Sequence, residues 1–275
     1  MPSVTTARNI SENLSASLED GIVMGSDDLP KGIVRVTDQA LLAERYLPAI
    51  RSAEGGIVRL AVFDFDGTSL SGNSPVMLVR YLRKHMRKSV LARIIAWGAA
   101  YKMRLPQNEA WVRGLVFSVF QGKPVNKVNE FLWNFYAEKV APRFRAAANE
   151  CMQEHVDKGD VVICVSATFE PIIAAAMIDH PIMVGIATRM AVNADGTYTD
   201  RVEGEPVEGP EKLAALTRFA NEYFGEGKWE IEAAYGDHHS DRTMLAAAKH
   251  PHAVTPDKPL SRTAAREGYP VLEWS

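Results

Sequence analysis

Two carboxylates one residue apart, in Asp64-Phe65-Asp66-Gly67-Thr68, follow directly on a short apolar run, Ile57-Val58-Arg59-Leu60-Ala61-Val62-Phe63. A run of this length and composition reads as a buried parallel strand. Open parallel sheets bind ligands beyond the carboxyl ends of their strands, so both acids stand where a ligand would be met. Because the strand is ending, the two side chains can turn differently into one site. Gly67 lets the backbone bend sharply and approach a ligand closely. Paired carboxylates in such a place can hold a hard cation, attack phosphorus or move a proton. A strand-terminal Asp closing an Asx turn would look the same in isolation.

Three more segments place reactive groups after apolar runs or at helix starts. Ser166 follows Val161-Val162-Ile163-Cys164-Val165. Its hydroxyl and nearby N–H groups suit phosphate oxygens at a helix start, although a plain helix N-cap has the same signature. Lys212 follows Gly209-Pro210-Glu211 at the start of a helical pattern, a place where a lysine is often only a solvated charge. Gly236-Asp237-His238-His239-Ser240-Asp241 follows the strand-like Ile231 to Tyr235. Two acids four residues apart suit metal coordination, or else a cap with a surface acid.

The elements that must position these groups alternate in type. Residues 1–37 are polar and read as a loosely held extension. Asp38 can cap a short helix through Leu41, Leu42, Tyr46 and Ile50, which Gly55-Gly56 ends. From Ser74 to about Lys158 the pattern is helical, with Pro106 and Pro124 each able to open a new helix. The β signal returns at residues 161–165, 182–187, 231–235 and 252–255, with helical stretches between. Asn193-Ala194-Asp195-Gly196 reads as a hairpin turn. Strand–helix alternation predicts an α/β, mostly parallel, three-layer core. The helical block is too long for a single crossover and should form its own small domain.

Composition narrows the classes. Of 275 residues, 47% are hydrophobic and 24% charged, as in ordinary globular chains. The net charge of −3 argues against a nucleic-acid partner. Cys151 and Cys164 lie outside any CxxC pair, which argues against a disulfide framework or zinc site. No apolar segment near the start resembles a signal peptide. The apolar stretch Ile94 to Tyr101 is far short of the roughly 18 residues that span a bilayer. The cytoplasm is the expected location, with no transmembrane segment.

Taken together, DxDGT, Ser166, Lys212 and Gly236-Asp237…Asp241 resemble the four ordered motifs of the haloacid dehalogenase superfamily, over residues 57–275. Val165-Ser166-Ala167-Thr168-Phe169-Glu170-Pro171 and the tail Thr255-Pro256-Asp257-Lys258-Pro259-Leu260, with Trp274, are similar to its phosphoserine-phosphatase-like branch (subfamily IB). The resemblance implies a Rossmann-like core, residues 56–70 and 160–275, with a helical cap at 71–159 after an extension at 1–55. It implies a magnesium-dependent phosphomonoester hydrolase. Asp64 would be the nucleophile that becomes phosphorylated, and Asp66 the proton donor and acceptor. Ser166 and Lys212 would hold the phosphoryl oxygens, with Thr68 and Ala167 beside the substrate. Mg²⁺ would be held by Asp64, the Asp66 main-chain carbonyl and Asp237, with Asp241 supporting that shell or the lysine.

Two places depart from the family pattern: Asn73, and His238-His239, which stand where the family often has small residues. Phosphoserine phosphatases carry a glutamate seven residues after the second Asp, and here that position is Asn73. A further feature concerns the cap. Between Ser71 and Gly122 stand Arg80, Arg83, Lys84, Arg87, Lys88, Arg93, Lys102, Arg104 and Arg113 against the single acid Glu109, a net +8 that leaves −11 elsewhere. Trp97, Tyr101, Trp111, Phe117 and Phe120 interleave with them. Such arginines can simply snorkel over a cap core. They can also form an anion-attracting, partly apolar entrance, with Arg113 as the counterpart of the family's substrate-gripping arginine. The expected partner is a small phosphorylated substrate, with peripheral membrane contact through the basic cap left open. Alternatives are a lipid-headgroup phosphatase acting on something like a phosphatidylglycerophosphate, a phosphomutase, and a non-enzymatic phosphate-ligand binder. His238 and His239 are expected to fill a plain loop role.

Overall fold

The computed structural model describes residues 56–82 and 118–274, together with Ala92, Ile95 and Ala96. The expected extension and short helix at 1–55, and Lys102 and Arg113 in the basic segment, lie outside the described residues.

The apolar runs become one parallel sheet. Its strands are β1 (Val58–Phe63), β2 (Val161–Phe169), β3 (Val184–Thr188), β6 (Trp229–Gly236), β7 (His250–Val254) and β8 (Val271–Leu272). The order is β3-β2-β1-β6-β7-β8, and all five neighbouring pairs are parallel. β1 is central, and five of its six residues are buried because helices cover both faces of such a sheet. The exception, Arg59, reaches back to Asp160 at 2.7 Å. A separate hairpin, β4 (Met190–Val192) with β5 (Tyr198–Val202), turns through the expected Asn193–Gly196.

Helices, numbered among the described residues, are α1 (Ser74–Leu82), α2 (Val125–Phe135), α3 (Ala146–Asp157), α4 (Glu170–Asp179), α5 (Pro210–Phe224), α6 (Arg242–Ala246) and α7 (Lys258–Glu267). A π-turn at Tyr136–Val140 continues α2. Pro124 caps α2 from outside, where its missing N–H costs nothing. The chain leaves the sheet after Leu70 and returns beside it at Phe144, where the two residues form an antiparallel bridge. Arg145 N–H donates to the Ser69 carbonyl (2.9 Å), and α3 packs along β2.

The end of β2 differs from the sequence reading. The run does not stop at Val165 with a helix at Ser166; the strand continues to Phe169 and α4 starts at Glu170. Pairing with β3 slips between Ser166 and Phe169, so Ala167 and Thr168 are inserted into the strand end. Such an insertion re-aims side chains near a site. Cys151 and Cys164 are both free thiols. Among the described residues, no helix is long and apolar enough to cross a membrane.

Candidate active site

The C-terminal ends of β1, β2 and β6 bring the acids together. Asp64 starts the loop after β1, held there by its N–H to the Tyr235 carbonyl of β6 (2.9 Å) and by Ser69 Oγ on its own carbonyl (2.7 Å). Lys212, in the first turn of α5, is only 4% exposed. Its Nζ donates to Asp64 Oδ1 at 2.5 Å and to Asp241 Oδ1 at 2.6 Å. Thr68 Oγ1 lies 3.2 Å from both Asp64 Oδ2 and Asp237 Oδ1. The other oxygen of Asp241 accepts the His238 N–H at 3.1 Å.

Gly67 explains how these loops come so close. Its φ is +87°, and a Cβ there would lie 2.0 Å from Asp237 Oδ2. The Asp237 carboxylate therefore occupies the space that any side chain would need. At Gly236 a Cβ would meet Asp241 Cβ at 2.8 Å, so the second acid of that loop also packs on a bare backbone.

Asp66 faces a different set of partners. Its Oδ1 accepts the Ser74 N–H at 2.5 Å, and its Oδ2 accepts Thr168 Oγ1 at 2.6 Å and Ser74 Oγ at 3.1 Å. Ser166 is buried on β2, and its Oγ accepts the Thr168 N–H at 3.1 Å.

Burial pushes the Asp64 carboxyl well above the usual carboxylate range; Lys212 opposes the rise, and Asp241 and Asp237 add to it. Burial also raises Asp66, partly offset by the hydrogen bonds from Thr168 and Ser74. Asp237 is pushed up to about 6, by burial first and by the Asp241 charge second. Burial disfavours the Lys212 ammonium, but the Asp241 and Asp64 carboxylates outweigh it and hold its pKa above the ordinary lysine range.

One carboxylate oxygen from each of Asp64, Asp237 and Asp241 lies within 4.8 Å of the others. Three buried or half-buried carboxylates against one ammonium leave surplus negative charge, which is costly in a poorly solvated site. An all-oxygen donor set with this surplus fits a hard divalent cation such as Mg²⁺. The Asp66 side chain is not part of that group, being occupied by Ser74 and Thr168.

Of the residues singled out in the sequence, Asp64, Asp66, Thr68, Ser166, Lys212, Asp237 and Asp241 converge here. Ala167 sits half-buried in the slipped end of β2, next to Ser166. Asn73 is engaged locally: its Oδ1 accepts the Val76 N–H at 3.0 Å and caps α1. His238 caps the 3₁₀ turn His239–Asp241, so this histidine of the loop has a structural task.

Sequence reasoning assigned no role to Ser74, Thr168 or Arg145. Arg145 donates from Nη1 to the Trp274 carbonyl and from Nη2 to the Gly67 carbonyl (3.2 Å), tying the acid loop to the chain's tail. Only Thr168 carried a signal, as a hydroxyl within two residues of Ser166.

Comparison with known proteins follows the same lines. The sequence profile described as haloacid dehalogenase-like hydrolase matches residues 61–246. The chain is 28% identical over 228 residues to an "inhibition of morphological differentiation protein" of Streptomyces azureus, covering 78% of each chain. It is 25% identical over 225 residues to a histidinol-phosphatase of Neisseria meningitidis, covering 78% of this chain and 98% of that one. It is 28% identical over 222 residues to phosphoserine phosphatase SerB1 of Mycobacterium tuberculosis, covering 78% and 70%. Among solved structures, a Bordetella pertussis protein of unknown function superposes with a TM-score of 0.71 at 23% identity, covering 79% of this chain and 99% of that one. A substrate-bound phosphoserine phosphatase complex gives 0.55 at 21% identity, covering 78% and 93%. These two structural matches carry the fold.

Proposed function

This chain belongs to the haloacid dehalogenase-like hydrolases, and on that footing we propose that it is a Mg²⁺-dependent phosphomonoester hydrolase working through an aspartyl-phosphate on Asp64. The observation that carries this reading is the buried Lys212 bound at once to Asp64 and Asp241, with Asp237 alongside. Two relatives named as phosphatases support the same class.

Asp64, Asp237 and the Asp66 main-chain carbonyl would hold the metal, with Asp241 behind them. When bound, Mg²⁺ neutralises charge on the phosphoryl oxygens and on the cluster. An Asp64 carboxylate oxygen attacks phosphorus in line; the new O–P bond forms as the ester P–O bond breaks. Asp66 gives its proton to the departing alkoxide. In the second half, Asp66 takes a proton from water, the water oxygen attacks phosphorus, and the Asp64–phosphoryl bond breaks to release phosphate. Lys212 fixes the Asp64 carboxylate and, with Ser166, receives the equatorial phosphoryl oxygens.

For the substrate, we infer a phosphomonoester larger or more apolar than phosphoserine. Asn73 has no charge to offer an ammonium group and is already engaged in capping α1. A charge-assisted hydrogen bond is worth about 1.5–3 kcal/mol, so its absence weakens selection for phosphoserine. A substrate panel comparing phosphoserine, sugar phosphates and phosphocholine checks this. A kcat/KM preference for phosphoserine that survives Asn73→Ala would contradict it. The activity itself is tested by phosphate release from 4-nitrophenyl phosphate, with Mg²⁺ and after chelation. Release should require the metal; equal rates in both conditions would overturn the proposal.

A further inference from the structure

We propose that Thr168 is a positioning residue for Asp66, acting with Ser74 to set the carboxyl that moves the proton. This rests on the reading of Asp66 given above.

Asp66 is held from two directions that are far apart in sequence. Thr168 comes from the slipped end of β2, 102 residues away, and Ser74 from the first turn of α1, eight residues away. Both side chains are buried, Ser74 at 0% and Thr168 at 1% exposure. Their hydroxyls also meet each other at 2.7 Å. The two hydroxyls and Asp66 Oδ2 thus form a closed triangle, with contacts of 2.6, 2.7 and 3.1 Å. Each hydroxyl has one proton, so while Asp66 is ionised one of the three edges cannot be a hydrogen bond. The short edge to Thr168 is the natural donor to the carboxylate, which leaves Ser74 Oγ free to serve either neighbour.

The backbone fixes Thr168 as firmly as its side chain fixes Asp66. Its N–H donates to Ser166 Oγ, so one residue orients both the phosphoryl-holding hydroxyl and the proton-transfer carboxyl. At the slipped end of β2, Thr168 donates from its backbone to Ser166 and from its hydroxyl to Asp66. A proton must be delivered within hydrogen-bond reach of the leaving oxygen. A carboxyl free to change rotamer would spend part of its time out of that reach.

The step affected is departure of the leaving group, and its dependence on an acid grows with the basicity of that group. The test compares kcat/KM for phenyl phosphate, whose leaving group is the more basic, with 4-nitrophenyl phosphate. It uses full-length wild type, Thr168→Val, Thr168→Ser and Asp66→Asn, all with Mg²⁺. Thr168→Val is expected to lose about tenfold on phenyl phosphate and much less on 4-nitrophenyl phosphate, a fraction of the roughly 10²–10⁴-fold that acid–base groups supply. Thr168→Ser, which keeps the hydroxyl, should recover most of the loss. Should Thr168→Val not fold, Ser74→Ala removes a donor to the same carboxylate and should show the same leaving-group bias at smaller size. Equal losses on both esters, or no recovery in Thr168→Ser, would overturn the proposal. If Asp66→Asn is itself indifferent to the leaving group, the role of Asp66 fails and the proposal with it. A biased Asp66→Asn beside unbiased Thr168→Val and Ser74→Ala would sink the positioning claim alone.

Discussion

Among the described residues, the charge clusters around Lys212 and around Asp160 are built on opposite principles. Around Lys212, the carboxylates of Asp64, Asp237 and Asp241 outnumber the one ammonium, which bonds Asp64 and Asp241. Below α3, the carboxylate of Asp160 accepts from Arg59 at 2.7 Å and lies 2.7 Å from His155 Nδ1, so two cationic groups converge on one acid. The carboxyls of Asp64 and Asp237 are pushed up, mainly by burial. Burial works the same way on Asp160, but hydrogen bonds from His155 and Arg59 overcome it and hold that carboxyl below the usual range. His155 Nε2 meets the Tyr235 hydroxyl at 2.9 Å, and the Tyr235 ring stacks on Phe63 and His252. The Asp160 cluster is satisfied from within the fold. The Lys212 cluster is not, and its surplus of buried negative charge is what a bound cation would offset. Imbalance marks the candidate site, and balance marks the frame that carries it.

That contrast breaks most visibly at Asp64. Asp64→Asn should abolish turnover, by about 10⁴-fold or more, because an amide cannot attack phosphorus. Removing one of three crowded carboxylates should not lower the melting temperature in metal-free buffer. A large drop in Tm with residual activity would reverse the assignment of surplus charge to function. Asp160→Asn should do the opposite. It strips the counter-charge from His155 and Arg59, at a cost of about 1–3 kcal/mol, read from urea unfolding. Its kcat/KM should stay near that of wild type once folded protein is compared. The smallest effect is the pH dependence of that same cluster. Burial opposes the His155 charge, yet Asp160 and Cys151 outweigh it and raise its pKa to about 9. A raised folded-state pKa adds stability that is complete below the unfolded value, about 6.5, and fades as pH rises through about 9. For Asp160, whose pKa is lowered, the contribution is present above about 3.9 and fades below it. Denaturation midpoints from pH 7 to 10 should fall in wild type and flatten in His155→Gln.

The parts legible in the sequence are those written in contiguous residues. β1 and the DxDGT turn, the strand before Gly236-Asp237, and the hairpin at Asn193–Gly196 each carry an apolar period and a turn signal side by side. Lys212 was legible only as one of an ordered set, because a lysine at a helix start has no signature of its own. What stayed hidden depends on register and on long-range contact. The slip that extends β2 to Phe169 is a property of its pairing with β3, and no residue in Val161–Phe169 announces it. Thr168 and Ser74 reach Asp66 with common hydroxyls, and Asn73 found a local use as a cap. Helical periodicity is the same in a helix that covers a sheet and in one that belongs to an insert. The pattern from Ser74 to Lys158 therefore gave no sign that α3 packs along β2. The Arg59–Asp160–His155 frame left no motif, since its partners are ordinary residues at ordinary spacing.

The central claim is covalent, so the direct test is to catch the bond. Enzyme and 4-nitrophenyl phosphate are mixed with Mg²⁺, quenched in acid within one turnover, digested, and mapped by mass spectrometry for a phosphorylated peptide. The account predicts an acid-stable, base-labile phosphoryl group on the peptide that carries Asp64, absent without Mg²⁺ and absent from Asp64→Asn. Turnover with no labelled peptide in the first cycle, or a label on Asp66 or Ser166 instead, would contradict it.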